Sequence, residues 1–284
     1  MINLIPEIFV RFPEGRGKVL TFSYDDGYAS NSRLVEILNK YKLKGTFNFS
    51  TGNYLPEDSN YNENIKFNLM KKSDVTKLFA DSDHEVIIHG YTHTSLATLP
   101  AAAIVHEILH DRENLEEQFG KVVRGMAYPG GSYDDKVVDV AKACGVLYAR
   151  TIVSAEKFNL PTDWLRLPAT CHHKNPRLME LADRFVNMKI VEPAQMFYLW
   201  GHASEFDKDN NWNVIEELCE FMSGREDEIW YATNTEIFEY LEDFNNLICS
   251  ADLSIIKNPT SRKIWFSFGT TPMSIEPGET IYTQ

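Results

Sequence analysis

The stretch Lys18–Tyr41, KVLTFSYDDGYASNSRLVEILNKY, contains one complete strand–turn–helix unit. Its β-branched and aromatic run Val19–Tyr24 predicts a strand that ends in the polar turn Asp25-Asp26-Gly27. Apolar residues from Leu34 to Tyr41 then recur at helical spacing after Ser30, a residue type that caps helices. Strands that alternate with amphipathic helices are typical of a parallel sheet, so this unit predicts an α/β fold.

The same alternation continues to about Asn246. Seven further short runs are rich in β-branched or aromatic residues, and most lead into a helical pattern. In a chain of 284 residues, seven or eight such units predict a (β/α) barrel coated by helices. The further strand-like runs are Thr46–Phe49, Val86–Ile88, Val122–Tyr128, Leu147–Val153, Leu165–Leu167, Phe197–Trp200 and Ile229–Ala232.

The end of the chain has a different pattern. The runs Leu253–Lys257, Lys263–Phe268 and Thr280–Thr283 are separated by the turn-forming segments Asn258-Pro259-Thr260 and Pro277-Gly278. Short strands divided by such turns predict a small antiparallel sheet. We therefore expect a barrel over residues 1–248 and a small β appendix over residues 249–284 that packs against it.

The composition excludes several classes of partner. Against 28 Lys and Arg residues stand 41 Asp and Glu residues, a net charge of −13, with no basic run that could neutralise a row of phosphates, so we expect no nucleic-acid binding. No apolar stretch approaches the length of a membrane span, and Met1–Val10 lacks the pattern of a signal peptide. Four widely separated cysteines fit reduced thiols. We expect a cytoplasmic protein that does not bind a membrane; nothing in the sequence predicts its oligomeric state.

Candidate catalytic residues follow the first and third predicted strands. Asp25 and Asp26 leave the first strand in opposite directions and could take different roles, although Asp-Asp-Gly is also ordinary turn chemistry. His89 and His93 follow the third strand, and imidazoles at this spacing can converge on one metal ion. Because the carboxyl ends of barrel strands share one face, we expect all four residues at the same rim.

Two later strands end in further candidates. Tyr128-Pro129-Gly130-Gly131 follows the fourth strand, and its glycines would let backbone N–H groups approach a ligand, although a plain loop is the alternative. His202 follows the seventh strand at the same rim and could act as an acid, because imidazole titrates near neutrality. His172 and His173 could line the cleft, but we interpret them as surface loop histidines.

A rival motif lies at His106-Glu107-Ile108-Leu109-His110, which matches the HExxH pattern of zinc peptidases. Helical geometry argues against this function, because His106 and His110 fall opposite the predicted apolar face of their helix. That face is formed by Ile104, Val105, Ile108, Leu109, Leu115 and Phe119.

Four motifs, in this order, resemble those of the polysaccharide deacetylase family, carbohydrate esterase family 4, also called the NodB homology domain. Ser23–Gly27 is similar to the family's TFDDG motif and His89–His93 to its HxxxH motif. Tyr128–Gly131 resembles a variant of RPPYG, and Leu199–His202 resembles LxLxH. The resemblance covers roughly residues 18–245 and implies a distorted (β/α) barrel of seven or eight units.

The resemblance also implies roles for these residues. It makes Asp26, His89 and His93 the ligands of a divalent metal, with Zn²⁺ expected and Co²⁺, Mn²⁺ or Fe²⁺ also suited to this ligand set. Asp25 is then the base and His202 the acid, with the Gly130 N–H as an oxyanion donor. The implied reaction removes acetyl groups from N-acetylated or O-acetylated carbohydrate, with a metal-bound water as nucleophile.

Further residues are assigned by a looser match. Asp163-Trp164 resembles the family's fourth motif, in which an aspartate orients the acid histidine and a tryptophan lines the cleft. We expect four aromatic residues to contact the acetylated saccharide. They are Tyr24, Tyr128, Trp164 and Trp200.

The sequence departs from the family in its third motif. The family arginine that contacts the catalytic aspartate falls at Ala127, and the family tyrosine falls at Gly130. Arg150 or Arg166 would have to supply the missing guanidinium. This departure leaves open a carbohydrate-binding protein with a decayed site, whereas adjacent Asp25 and Asp26 fit a glycosidase poorly, because its two carboxylates must flank a bond.

Overall fold

The computed structural model describes residues 7–61, 68–190 and 193–283. The strands in these ranges are β1 (Ile8–Arg11), β2 (Lys18–Tyr24), β3 (Thr46–Phe49), β4 (Glu85–Ile88), β5 (Gly125–Ala127), β6 (Tyr148–Ser154), β7 (Leu167–Ala169), β8 (Cys171–His172), β9 (Gln195–Gly201), β10 (Ile229–Tyr231), β11 (Ile248–Cys249), β12 (Ile255–Lys257), β13 (Ile264–Phe268), β14 (Thr271–Ile275) and β15 (Thr280–Tyr282). The helices are α1 (Asn31–Lys40), α2 (Lys72–Phe79), α3 (Ala101–Phe119), α4 (Asp135–Ala143), α5 (Leu178–Asn187), α6 (Ser204–Asp209), α7 (Asn213–Met222) and α8 (Asn234–Asn245).

The central sheet is parallel, in the order β7-β6-β5-β4-β3-β2-β9-β8. Its two ends meet on one short segment, because β7 pairs with β6 and β8, which follows it directly, pairs with β9. Ala155 N–H donates to Ala169 O (2.9 Å) and Thr170 N–H donates to Tyr198 O (2.8 Å), so this segment closes the sheet. The predicted α/β barrel is confirmed.

The barrel is distorted at β2. Residues Ile229–Tyr231 of β10 pair with Lys18–Leu20, whereas β3 pairs only with Ser23 and Tyr24. One edge of β2 therefore has a different neighbour at each end. This arrangement opens the barrel near its amino-terminal rim and leaves the carboxyl-terminal rim, where β2 and β3 pair, intact.

The strands outside the barrel form two antiparallel sheets, β1-β13-β14 and β11-β12-β15. β1 is not among the strands predicted from the sequence; its four residues pair with β13 near the other end of the chain. The Tyr240 hydroxyl of α8 donates to Arg11 O (2.7 Å) and accepts from Trp265 N–H (2.9 Å), which ties both strands to the barrel.

One predicted strand is wrong in its position. Leu165–Leu167 was expected to be extended, but residues Trp164–Arg166 form a 3₁₀ turn and the strand begins at Leu167. The Asp163 carboxylate accepts from Leu165 N–H (3.0 Å) and caps this turn, which local strand propensity does not reveal. None of the helices in the described residues has the length and hydrophobicity needed to span a bilayer.

Candidate active site

The predicted metal ligands converge at the carboxyl-terminal rim. Asp26 follows β2, and His89 and His93 follow β4. His89 Nε2 lies 3.3 Å and His93 Nε2 3.2 Å from Asp26 Oδ1, and the three ligand atoms all lie within 4.8 Å of one another. The rim thus brings together two imidazoles and one carboxylate from two separate loops.

The geometry of this cluster fits a cation. Asp26 Oδ1 is buried and, among the described residues, has no hydrogen bond of acceptable geometry, although two imidazole nitrogens lie beside it. In a tetrahedral site with bonds of about 2.0 Å, ligand atoms lie about 3.3 Å apart. His89 Nδ1–H donates to Ala127 O (2.9 Å), which leaves His89 Nε2 with a lone pair for a metal.

Two of the predicted ligands have unusual backbone conformations. Asp26 has φ +74° and His93 has φ +59°, both in the left-handed region that side-chain-bearing residues seldom adopt. Gly27 follows with φ +69°, and a Cβ there would lie 2.5 Å from the Phe49 ring. Such strain is concentrated at functional sites, where the surrounding structure maintains it.

Asp25 lies beside the cluster and is buried. Arg150 Nη2 donates to its Oδ1 (2.5 Å) and Oδ2 (2.6 Å), and Asn48 Nδ2 also donates to Oδ1. Burial by itself raises the pKa of Asp25, but the charges of Arg150, His89 and His202 outweigh it and lower the pKa below its usual value. The carboxylate is therefore ionised and able to accept a proton.

Arg150 supplies the guanidinium that the sequence lacks at Ala127. Ala127 of β5 and Arg150 of β6 are paired residues in adjacent parallel strands, so their side chains leave the same face of the sheet. Arg150 is fully buried and its guanidinium lies over the Trp200 ring, 4.6 Å from the centroid. Arg166 is instead partly exposed and forms ion pairs with Asp163 and Asp135.

His202 lies between the carboxylates and a further acid. Its Nε2 is 3.9 Å from Asp25 Oδ2 and 3.8 Å from Asp26 Oδ2, and its Nδ1–H donates to Glu205 Oε2 (3.1 Å). Burial lowers the pKa of His202, but Glu205, Asp25 and Asp26 outweigh it and raise the pKa above its usual value. The imidazole can therefore carry a proton near the carboxylates.

The roles expected of Asp163 and Trp164 need correction. Asp163 caps its turn and binds Arg166, and the carboxylate on His202 Nδ1 is that of Glu205. Trp164 packs against Tyr148 and Phe238, with ring centroids 6.5 and 5.1 Å away. The loose match to a fourth motif therefore misplaced both roles. The acid that contacts His202 is Glu205, only three residues after it in the chain.

Two predicted substrate contacts are covered by protein. Tyr24 is fully buried and stacks on His173 at 5.8 Å. Tyr128 is 1% exposed and its hydroxyl donates to Leu165 O (2.8 Å). Trp200, 8% exposed, packs beside Arg150 and His202. The sequence pattern identified aromatic residues near the rim but not the direction of their side chains.

Gly130 lies in the loop after β5. It has φ +56° and is exposed, and a Cβ there would meet nothing within 4 Å. A Cβ at Gly90 would lie 2.9 Å from the Pro129 ring, so this loop packs against the loop that carries His89 and His93. This contact brings the loop that contains Gly130 against the loop that contains two of the predicted metal ligands.

The α3 helix turns its histidines outward. His106 and His110 stack on each other at 5.1 Å, and 42% of the His110 side chain is exposed. Glu107 points the other way and accepts from Thr92 N–H (2.8 Å), so it is not available as a peptidase base. Val105, expected in the apolar face, is 36% exposed.

Two acids that hold the loops in place were not predicted from the sequence. Glu107 supports the loop of His93, and Asp111 accepts from His89 N–H (3.0 Å) and Thr51 N–H (2.8 Å). Both are buried on the same helical face as Ile104 and Ile108. Their spacing from these apolar residues was the signal that could have identified them.

Part of the chain matches a known protein family. Residues 13–149 match the family described as polysaccharide deacetylase. Over 109 residues the chain is 27% identical to the uncharacterized protein YlxY of Bacillus subtilis (strain 168), which covers 38% of this chain and 30% of that protein. The chain thus matches less than a third of the length of this curated relative.

Solved structures share the fold. A Mycobacterium smegmatis structure named for the polysaccharide deacetylases is 18% identical, with a TM-score of 0.60, over 84% of this chain and 95% of that chain. The Xyl-CE4 domain of a multidomain xylanase from the hindgut metagenome of Trinervitermes trinervoides is 14% identical, with a TM-score of 0.51, over 80% of this chain and 92% of that domain.

Proposed function

We propose that the chain is a metal-dependent hydrolase that removes acetyl groups from an acetylated saccharide, because residues 13–149 match the polysaccharide deacetylase family. The observation that carries this proposal is the position of Asp25. An ionised, arginine-bound carboxylate lies next to a cluster of three metal-ligand groups, and His202 lies within 4 Å of both aspartates. This arrangement supports a site in which the rim provides a base, an acid and the ligands of a cation.

Asp26, His89 and His93 would hold the cation. We propose Zn²⁺, although two imidazoles and one carboxylate also suit Co²⁺, Mn²⁺ and Fe²⁺. When bound, the cation would lower the pKa of a coordinated water and polarise the acetyl carbonyl. The fit of the ligands rests on the orphaned Asp26 Oδ1 and on ligand-atom separations of 3.2 and 3.3 Å.

Asp25 would accept the proton of the attacking water. Its two oxygens are held by Arg150, so the carboxylate cannot rotate away from the cluster. The guanidinium offsets the free-energy cost of burying the negative charge. Arg150 thus lets Asp25 remain ionised in a buried position, which a base at this rim requires.

His202 would donate a proton to the leaving amine or alcohol. Glu205 holds its Nδ1–H, so the proton for transfer lies on Nε2, the atom that faces the two aspartates. The Gly130 N–H would donate to the carbonyl oxygen as negative charge develops there. Gly130 is exposed, and its loop packs against Gly90, which supports this role.

The structure gives less support to a carbohydrate-binding protein with a decayed site. That alternative rests on the altered third motif and on aromatic residues at the rim. Arg150 replaces the guanidinium in space, and Tyr24 is covered by protein. Both observations favour the enzyme.

Acetate release tests the proposal. Metal-loaded protein is incubated with N- and O-acetylated saccharides, with chelator-treated protein as control. Asp25→Asn should abolish release and retain the metal, whereas His89→Ala should lose both. Full turnover by Asp25→Asn, or release that a chelator does not affect, would exclude the proposed mechanism.

A further inference from the structure

A second imidazole cluster lies behind His202. His172 Nε2 is 3.1 Å, His173 Nε2 3.3 Å and His202 Nδ1 3.1 Å from the same oxygen, Glu205 Oε2. His172 and His173 follow one another on β8 and the turn after it, and Glu205 belongs to α6. The barrel thus brings two distant segments together around one carboxylate.

Hydrogen bonding does not account for His173. The residue is 2% exposed, and neither of its ring nitrogens has a hydrogen bond of acceptable geometry within the described residues. Its Nε2 lies beside Glu205 Oε2 but is not aligned with it. This geometry is expected when two groups bind the same ion. The lone pair of each group then points at the ion and not at the other group.

The first cluster provides an internal comparison. There, imidazole nitrogens lie 3.3 and 3.2 Å from an orphaned oxygen of Asp26. Here, His172 and His173 lie 3.1 and 3.3 Å from Glu205 Oε2, with all three ligand atoms within 4.8 Å of one another. In both sets the two imidazole–carboxylate separations match the value of about 3.3 Å expected for tetrahedral Zn²⁺.

The surrounding residues hold these imidazoles in place. His173 stacks between Tyr24 (5.8 Å) and Phe206 (4.2 Å). A Cβ at position 201 would lie 2.1 Å from His173 Nδ1, so Gly201 is needed to admit the ring. His172 packs edge-on against Trp200 at 4.5 Å. An apolar shell around the ligand atoms is typical of metal sites.

We propose that His172, His173 and Glu205 form a second divalent-cation site, of the class that accepts Zn²⁺ or Co²⁺. Lys174 Nζ contacts the other carboxylate oxygen, Glu205 Oε1 (3.0 Å), so Oε2 would bind the ion while it also accepts from His202 Nδ1–H (3.1 Å). Binding at His172 Nε2 moves its proton to Nδ1 and breaks the contact from Lys174 N–H (3.1 Å), a rearrangement confined to the turn after β8.

Cobalt titration of the full chain tests this proposal independently of the proposed activity. Bound metal is measured by elemental analysis after desalting, and ligand geometry by visible absorption. Wild type should bind two equivalents of Co²⁺, and His89→Ala and His172→Gln one each. The double variant should bind none, and His106→Gln, a matched outward-facing control, should bind two.

Gly201→Ala gives a second approach, because the added methyl group displaces His173 and should also remove one equivalent. One equivalent in wild type, lost in His89→Ala and kept in both His172→Gln and Gly201→Ala, overturns the second site and leaves the proposed function intact. Full retention of metal by His89→Ala contradicts the proposed catalytic centre instead.

Discussion

Arg150 Nη2 lies 2.5 and 2.6 Å from the two carboxylate oxygens of Asp25, and both side chains are buried. The position that the family resemblance assigns to an arginine holds Ala127, which is paired with Arg150 across the β5–β6 ladder. The guanidinium therefore belongs to the adjacent strand, at the same level of the barrel. It reaches the same carboxylate because paired residues of parallel strands point to the same face.

This exchange predicts the behaviour of Arg150 variants. Arg150→Met should lower kcat at least a hundredfold and destabilise the fold by about 3–5 kcal/mol, because it leaves a buried carboxylate without its partner. The double variant Ala127→Arg/Arg150→Ala should recover part of both losses. Deacetylation rates and denaturant unfolding measure these effects; a double variant no better than the single one would contradict the exchange.

Substitutions of Glu205 and Asp163 should affect the kcat–pH profile differently. Glu205 raises the pKa of His202 through a hydrogen bond, after the opposing effect of burial. Because His202 must be protonated to act as an acid, Glu205→Gln should lower kcat and move the alkaline limb of the kcat–pH profile to lower pH. Asp163→Asn should leave the profile unchanged. A shifted profile in Asp163→Asn alone would restore the role that the sequence assigned to Asp163.

Substitution of Tyr24 should affect the stability of the fold and not the affinity for substrate. Its hydroxyl is buried and has no hydrogen-bond partner among the described residues. Removing an unsatisfied polar group avoids a desolvation cost of about 1–3 kcal/mol, so Tyr24→Phe should be neutral or stabilising. KM should not change, because the ring is covered. A large rise in KM with unaltered stability would show that the ring contacts substrate.

The burial of His84 should make the stability of the fold sensitive to acid. Its Nδ1 accepts from Gly45 N–H (3.0 Å), and burial lowers its pKa from 6.5 to about 4. The fold therefore favours the neutral imidazole. The neutral imidazole's contribution to the free energy of unfolding is fully present above pH 6.5. It is lost as the pH falls towards 4, and the loss is at most about 3 kcal/mol.

Urea unfolding between pH 7.5 and 4.5 tests this dependence. His84→Gln keeps an acceptor near Gly45 and should lose less stability than wild type over that range. His110→Gln, a change at a partly exposed histidine, should follow wild type. Parallel curves for all three proteins would assign the acid sensitivity to other groups.

The sequence by itself determined the α/β barrel and the predicted metal cluster. Alternating strand and helix patterns are local, and the aspartates and histidines immediately follow strands whose carboxyl ends must share one rim. The left-handed conformations of Asp26 and His93 were not visible in the pattern, but they did not change which residues meet.

Only the tertiary structure decided the remaining features. Arg150 was one of two candidates until strand register placed it on Asp25, and Glu205 replaced Asp163 because α6 begins beside His202. The pairing of β1 with β13 and the burial of Tyr24 also depend on chain segments far apart in sequence. Propensity acts over a few neighbouring residues, whereas register, side-chain direction and burial are established when the barrel closes and distant segments pack together.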